Sequence, residues 1–249
     1  MKLDETMINS DASSGITEAD LMNVQRMLEK VDSFARLSYQ IVYVVDVCKK
    51  EIQRAYGDFD RLCGISREDV MKCGYDLFVN NIPNEELLLI SELNDKAMSF
   101  CDSMPEADRK RCTIFYDFHF VNGDRTRLVN HQATMLAERN GKPWIIMCTL
   151  SLSSHRSAGN LCVKMHEAQT LYKYNGRSCT WDKQEVPPLR ELERSVIILS
   201  SQGLTMREIA EALYRTEDAI KACKRELFRR MGTSNMIQTV QFVMNYKLL

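Results

Sequence analysis

The sequence has no Cys-x-x-Cys pair and no cluster of Cys and His at zinc-ligand spacing. Its nine cysteines, at 48, 63, 73, 101, 112, 148, 162, 179 and 223, stand singly. Their spacing excludes zinc fingers, zinc ribbons and thioredoxin-type motifs, and an odd, scattered set points to reduced thiols in a cytosol. No apolar run approaches the roughly 18–20 residues needed to cross a bilayer. The opening residues, MKLDETMINSDASSG, have neither the basic stretch nor the apolar core of a signal peptide, so a soluble, cytoplasmic chain with no membrane partner is expected. A clustered nucleophile, base or metal set is also missing, so no enzyme, catalytic residue, cofactor or metal site is expected. Neither sign of charge is in large excess: the net is −1, and bulk electrostatics draw no polyanion to the chain.

What is present suits two domains, since 249 residues can bury two cores. The charge divides unevenly. From Pro187 to Leu249 there are 10 Lys or Arg against 7 Asp or Glu, while the rest carries 23 against 27. The basic surplus therefore lies at the C-terminal end, where it favours phosphate contact.

Thr17 with Asp20 has the spacing of a capping box, and Leu21, Val24, Leu28, Val31 and Phe34 follow at helical intervals. This N-terminal helix, within residues 1–38, either packs on its own domain or meets a second copy. Strand-like IVYVVDV (41–47) and EIQRAY (51–56) then form a hairpin, followed by short helical pieces and a longer helix over 84–104 closed by Pro105. Three Asn-Gly dipeptides come next: Asn122-Gly123, Asn140-Gly141 and Asn175-Gly176. Asn-Gly favours the type I′ hairpin turn, whose two central residues both need positive φ. The first two join a three-stranded meander, and the third makes a separate hairpin in a β-rich connecting segment, 154–186.

The stretch from Gly203 to Met231 reads as two short helices separated by a tight turn. Thr205 with Glu208 is a capping box, and Thr216 caps a second helix that opens with Glu217 and Asp218. Ile220, Cys223, Leu227 and Met231 form its buried stripe. At about 100° per residue, Arg225, Asp218, Arg229 and Ala222 lie opposite, with Lys221 at the edge and Lys224 and Phe228 at the boundary. Such a helix can enter a major groove, although a solvated basic face has the same pattern.

Two strands, several small helices and a meander, over 39–153, resemble a PAS domain. Val45-Asp46, Leu62-Cys63-Gly64, Gly74-Tyr75-Asp76 and Asn122-Gly123-Asp124 are the supporting details. The resemblance implies an antiparallel five-stranded sheet with helices over one face, used for sensing or dimerisation. Tyr116 and Phe118 on one meander strand, and Trp144 and Cys148 on another, are the candidate lining of a cavity for an unknown small ligand. Such residues more often fill a core. No histidine falls in the long helix, where PAS haem ligands sit, and Cys63 lies outside any flavin-type motif.

Residues 187–249 resemble the LuxR-type DNA-binding domain along their whole length. Leu189, Glu193, Val196 and Leu199 fit its first helix, Gly203-Leu204-Thr205 its turn, and Glu208-Ile209-Ala210 with Leu213 its scaffold helix. Ala219-Ile220-Lys221-Ala222-Cys223 stands in its recognition segment. The family's threonine and histidine there are replaced by Ala219 and Cys223, so phosphate contact shifts to Thr216, Thr205 or Arg207.

The fold expected is thus α+β, a PAS-like five-stranded domain followed by an all-α four-helix LuxR-type helix-turn-helix domain. The resemblance implies a homodimeric transcription regulator that binds double-stranded DNA. Lys221, Ala222 and Arg225 would face base edges, Thr205, Arg207, Thr216 and Lys224 would hold phosphates, and a fourth helix carrying Ile237, Val240 and Met244 would pair the copies. The alternative is a PAS-like protein-interaction module without DNA binding. A phosphorylated receiver does not fit the antiparallel alternation, and an acyl-homoserine-lactone receptor does not fit Trp144 and Trp181, the only tryptophans.

Overall fold

The computed structural model describes residues 16–74, 76–166, 170–185 and 188–249. Residues 1–15, Tyr75 and the Pro187 boundary, on all of which expectations fell, lie outside the described residues. The chain divides into two compact units, one of Met1–Leu152 with Ser157–Glu185, the other of Ser153–Arg156 with Val186–Leu249. Among the described residues no helix is long and apolar enough to cross a membrane.

In the first unit, α1 (Glu18–Ala35) starts at the expected capping box: the Asp20 N–H donates to Thr17 Oγ1 at 3.2 Å and the Thr17 N–H to Asp20 Oδ2 at 3.0 Å. Leu28, Val31 and Ala35 pack on one face of the sheet, against Val42, Val44, Trp144 and Ile145. Phe34, expected on this face, is half exposed because it stands about 90° away from the stripe that these three residues define. Leu21 shares the stripe but lies two turns before Leu28 and is also half exposed.

The hairpin of β1 (Ile41–Asp46) and β2 (Glu51–Tyr56) turns at Asp46, whose Oδ1 accepts from the backbone N–H groups of Cys48 and Lys49. Four helices follow: α2 (Phe59–Cys63), α3 (Arg67–Cys73), α4 (Asp76–Asn81) and α5 (Asn84–Asp102). With a single turn, α6 (Glu106–Arg109), they lead to β3 (Cys112–Asn122), β4 (Arg125–Arg139) and β5 (Lys142–Leu152). The larger core lies between α2–α5 and the sheet face opposite α1, and includes Tyr43, Phe59, Leu93, Phe118, Phe120 and Leu150.

The sheet has eight strands rather than five. Its order is β2-β1-β5-β4-β3-β6-β7-β8, with β6 (Gly159–Met165), β7 (Thr170–Asn175) and β8 (Thr180–Glu185) coming from the segment expected to be a connector. The edge of β3 offers unpaired backbone groups, and β6 takes them antiparallel, Cys112 opposite Met165 and Ile114 opposite Val163. Leu161, Cys162 and Val163 are all buried, as in a strand covered on both faces. At the far edge β8 is exposed except for Trp181, which stacks on Phe100 of α5 with ring centroids 4.2 Å apart.

Only one Asn-Gly pair forms the expected turn. Asn140 and Gly141 have φ of 50° and 72°, as type I′ requires. Asn122 instead pairs with Arg125 and donates its Nδ2 hydrogen to the Gly64 carbonyl, so Gly123-Asp124 makes the turn with only Gly123 at positive φ. Asn175 pairs with Thr180, and its Oδ1 accepts from the N–H groups of Arg177 and Ser178 across a longer loop.

The second unit holds α7 (Glu191–Ser201), α8 (Met206–Ala212), α9 (Glu217–Met231) and α10 (Met236–Asn245). Val196, Ile197, Ile209, Ile220, Leu227 and Val243 are fully buried among them.

Candidate nucleic-acid interface and ligand cavity

Local signals set the geometry of α8 and α9. Thr205 Oγ1 accepts from the Glu208 N–H at 3.3 Å while Glu208 Oε2 accepts from the Thr205 N–H at 2.7 Å, which fixes the start of α8. Leu213–Thr216 then turns the chain, with Tyr214 at φ 52° and almost fully exposed. Thr216 Oγ1 accepts from the Ala219 N–H at 3.2 Å to open α9, and Gly232 closes it at φ 64°, a left-handed cap that glycine adopts without a Cβ clash.

The inner stripe of α9 is Ile220, Leu227 and Met231, with Cys223 half-buried beside it. Burial pushes the Cys223 thiol up, and the nearby Glu193 charge adds to this. Lys221, Ala222, Arg225 and Arg229 are exposed, and Lys224 is half-buried at the boundary. The structure therefore groups Lys221, Ala222, Lys224 and Arg225 on α9, while Arg207 sits on α8 and Thr205 and Thr216 cap α8 and α9. Lys221 pairs with Asp218 at 3.2 Å and Arg207 with Glu211 at 2.9 Å, both in solvent. Exposed pairs of this kind are worth about 0–1 kcal/mol, so either cation is released to a phosphate at little cost. Arg225 forms no ion pair among the described residues. Along α10, Ile237 and Met244 are exposed and Val240 half-buried.

The sequence reading set Glu193 in the first helix of this unit but gave no sign of the partner it meets there. Glu193, 3% exposed, receives Nη1 of Arg230 at 2.5 and 2.6 Å and the Arg190 N–H at 2.8 Å. Burial alone would raise the Glu193 pKa, but the Arg230 hydrogen bonds and charge and the Arg190 N–H outweigh it and hold the carboxyl below its usual value. The pair ties α7 to the end of α9. The two residues are 37 positions apart, so no local pattern announces them.

In the sheet unit, a cavity of about 140 Å³ lies between α4, α5 and the sheet. Tyr116, Phe118 and Cys148 line it, as expected, and so do Tyr43, Phe78 and His131. Trp144 does not. The pairing of β4 with β5 shifts twice between Met135 and Glu138, leaving Trp144 without a partner in the ladder. Such a bulge breaks the alternation, and Trp144 packs beneath α1 on the opposite face.

Among the described residues, none of those lining the cavity is Asp, Glu, Lys or Arg. Burial pushes the Cys148 thiol up to about 12, with a hydrogen bond from Tyr43 opposing it. His131 is hydrogen-bonded through Nε2 to Tyr43 Oη at 2.8 Å and packs on Tyr116 with ring centroids 4.6 Å apart. Its Nδ1 is buried with no partner among the described residues. If Nε2 accepts, Nδ1 is an unmet donor, and if Nε2 donates, Nδ1 is an unmet acceptor.

Burial pushes the His131 pKa down to about 3. The unfolded chain protonates this imidazole near its ordinary value of ~6.5 and the folded chain does not. Between those values the unfolded state binds more protons, so stability falls as pH falls through the window. Urea melts followed by tryptophan fluorescence, which reports this unit through Trp144 and Trp181, should lose up to about 1.4 kcal/mol per pH unit there. The slope should flatten in His131→Phe; an unchanged slope would remove His131 as its source.

No protein-family model matches the chain, and no curated protein matches it. Among solved structures, a phage VqmA–DPO complex is 14% identical, with 92% of each chain covered and a TM-score of 0.34. The Vibrio cholerae VqmA dimer, described with LuxR-type receptors, is 13% identical over 88% of this chain and 87% of that one, with a TM-score of 0.33. The PAS domain of Bordetella pertussis BvgS is 13% identical over 51% of this chain and 89% of its own, with a TM-score of 0.30.

Proposed function

We propose that the chain is a sequence-specific DNA-binding transcriptional regulator, with a LuxR-type helix-turn-helix in α8 and α9 and a PAS-like sensor in the sheet unit. The observation that carries this reading is the outer face of α9. Lys221, Ala222 and Arg225 stand there in solvent, while Ile220, Leu227 and Met231 hold the helix from behind. A helix anchored on one side and open on the other can enter the major groove, where Lys and Arg bond guanine edges and a small apolar residue meets the thymine methyl. Thr205, Arg207, Thr216 and Lys224 would hold phosphates and so set register.

A second copy of this chain would pair through Ile237, Val240 and Met244 of α10, with recognition helices about 34 Å apart on an inverted repeat. The cavity would take a neutral, ring-sized molecule, since an apolar space of about 150 Å³ accepts benzene. The reading places the protein in the cytoplasm and assigns it no catalytic step.

The experiment is duplex selection from a randomised pool, followed by affinity measurements at several salt concentrations. A selected site should bind with log Kobs falling linearly against log salt, by about 0.9 for each phosphate neutralised. Absence of salt-dependent duplex binding would leave a protein-interaction module in its place.

A further inference from the structure

We infer that Cys101 and Cys112 form an oxidisable dithiol, a modification site that a hydroperoxide converts to a disulfide. Their Sγ atoms lie 3.9 Å apart. Cys101 stands in the last turn of α5 and Cys112 opens β3. A disulfide needs about 2.05 Å between sulfurs, so an approach of about 2 Å closes the bond.

The chain between them is built to keep them facing. Arg109 donates from Nε to the Met104 carbonyl at 3.1 Å, from Nη2 to the Asp102 carbonyl at 3.0 Å and from Nη1 to the Gly141 carbonyl at 3.1 Å. These bonds pin the loop joining the two cysteines. As a thiol, Cys112 also donates to the Arg109 carbonyl at 3.2 Å. The S–H of Cys101 stabilises a thiolate on Cys112 and lowers its pKa, while the same interaction, then burial, raises that of Cys101. With the Cys112 hydrogen on the Arg109 carbonyl, Cys101 is the donor between the two sulfurs, and this gives Cys112 the nucleophile's part and Cys101 that of the resolving thiol.

In the first step the Cys112 thiolate attacks the peroxide. An S–O bond forms and the O–O bond breaks; sulfur loses two electrons, and the peroxide leaves as an alcohol, or as water from hydrogen peroxide, after taking a proton. In the second step the Cys101 sulfur attacks the sulfenic sulfur. The S–S bond forms, the S–O bond breaks, and hydroxide departs with the Cys101 proton as water. The product staples the end of α5 to the start of β3, two elements that wall the cavity.

The test uses the full chain, treated with hydrogen peroxide at modest excess, quenched by alkylation and mapped by mass spectrometry under non-reducing conditions. The expected product has lost about 2 Da, the two hydrogens of the thiols, and two alkylatable thiols, with the Cys101 and Cys112 peptides cross-linked until dithiothreitol separates them. In Cys101→Ala the cross-link should vanish and dimedone should trap a sulfenic acid on Cys112. Cross-linking of other cysteines in its place, or no oxidation of the native chain before it unfolds, would overturn the assignment. The native-chain mapping decides this even where a variant folds poorly.

Discussion

Arg230→Ala is expected to destabilise the helical unit by about 3–5 kcal/mol, because it leaves the Glu193 carboxylate buried without its hydrogen-bonded cation. A domain of this size has only about 5–15 kcal/mol of net stability, so most of the margin goes. Helical circular dichroism against urea would measure it. Exchanging both partners for apolar residues, Glu193→Leu with Arg230→Met, should cost far less, since the desolvation of the ions then disappears as well.

The pH dependence separates this mechanism from simple loss of packing. The carboxyl of Glu193 is held below its usual value in the folded protein. Its contribution is present above the ordinary carboxylate value of ~4.3 and is lost as pH falls through the lower folded one. Without Arg230 the buried carboxyl prefers its proton, so the deficit of Arg230→Ala should shrink in acid. A deficit independent of pH would assign the loss to packing.

The second large effect concerns specificity. Arg225→Ala should lose about 1–3 kcal/mol of discrimination at one base pair, roughly 5- to 150-fold, while binding to unrelated duplex changes little. Lys224→Ala should weaken every sequence alike and reduce the salt slope by about one. The difference follows from placement: Arg225 lies on the exposed face of α9, whereas Lys224 is half-buried at its boundary. Competition binding of both variants against a matched and a mutated site would decide, and an unchanged preference in Arg225→Ala would sink its role as a reader.

Much of this geometry was legible because it is local. The Thr17–Asp20 and Thr205–Glu208 boxes, the Thr216 cap and the face of α9 each depend on residues within a turn or two, and periodicity reports such relations directly. What escaped depends on distant partners. The joining of β6 to β3 is a choice of sheet edge, the Glu193–Arg230 pair spans most of the helical unit, and Asn122 forsakes its turn for the Gly64 carbonyl. Trp144 misled for a different reason: a bulge shifts the register, and strict alternation cannot register one extra residue. His131 carries no signal at all in sequence, since a strand histidine looks alike whether it faces solvent or an enclosed space.

The exposed edge of the sheet has a consequence for how the protein behaves when crowded. An open strand invites further strands from neighbouring molecules and so seeds aggregation. Here β8 reads Thr180-Trp181-Asp182-Lys183-Gln184-Glu185, and all but the tryptophan face water. The charged side chains of Asp182, Lys183 and Glu185 make that rim a poor template, so this edge of the sheet can end in solvent without growing into a fibril.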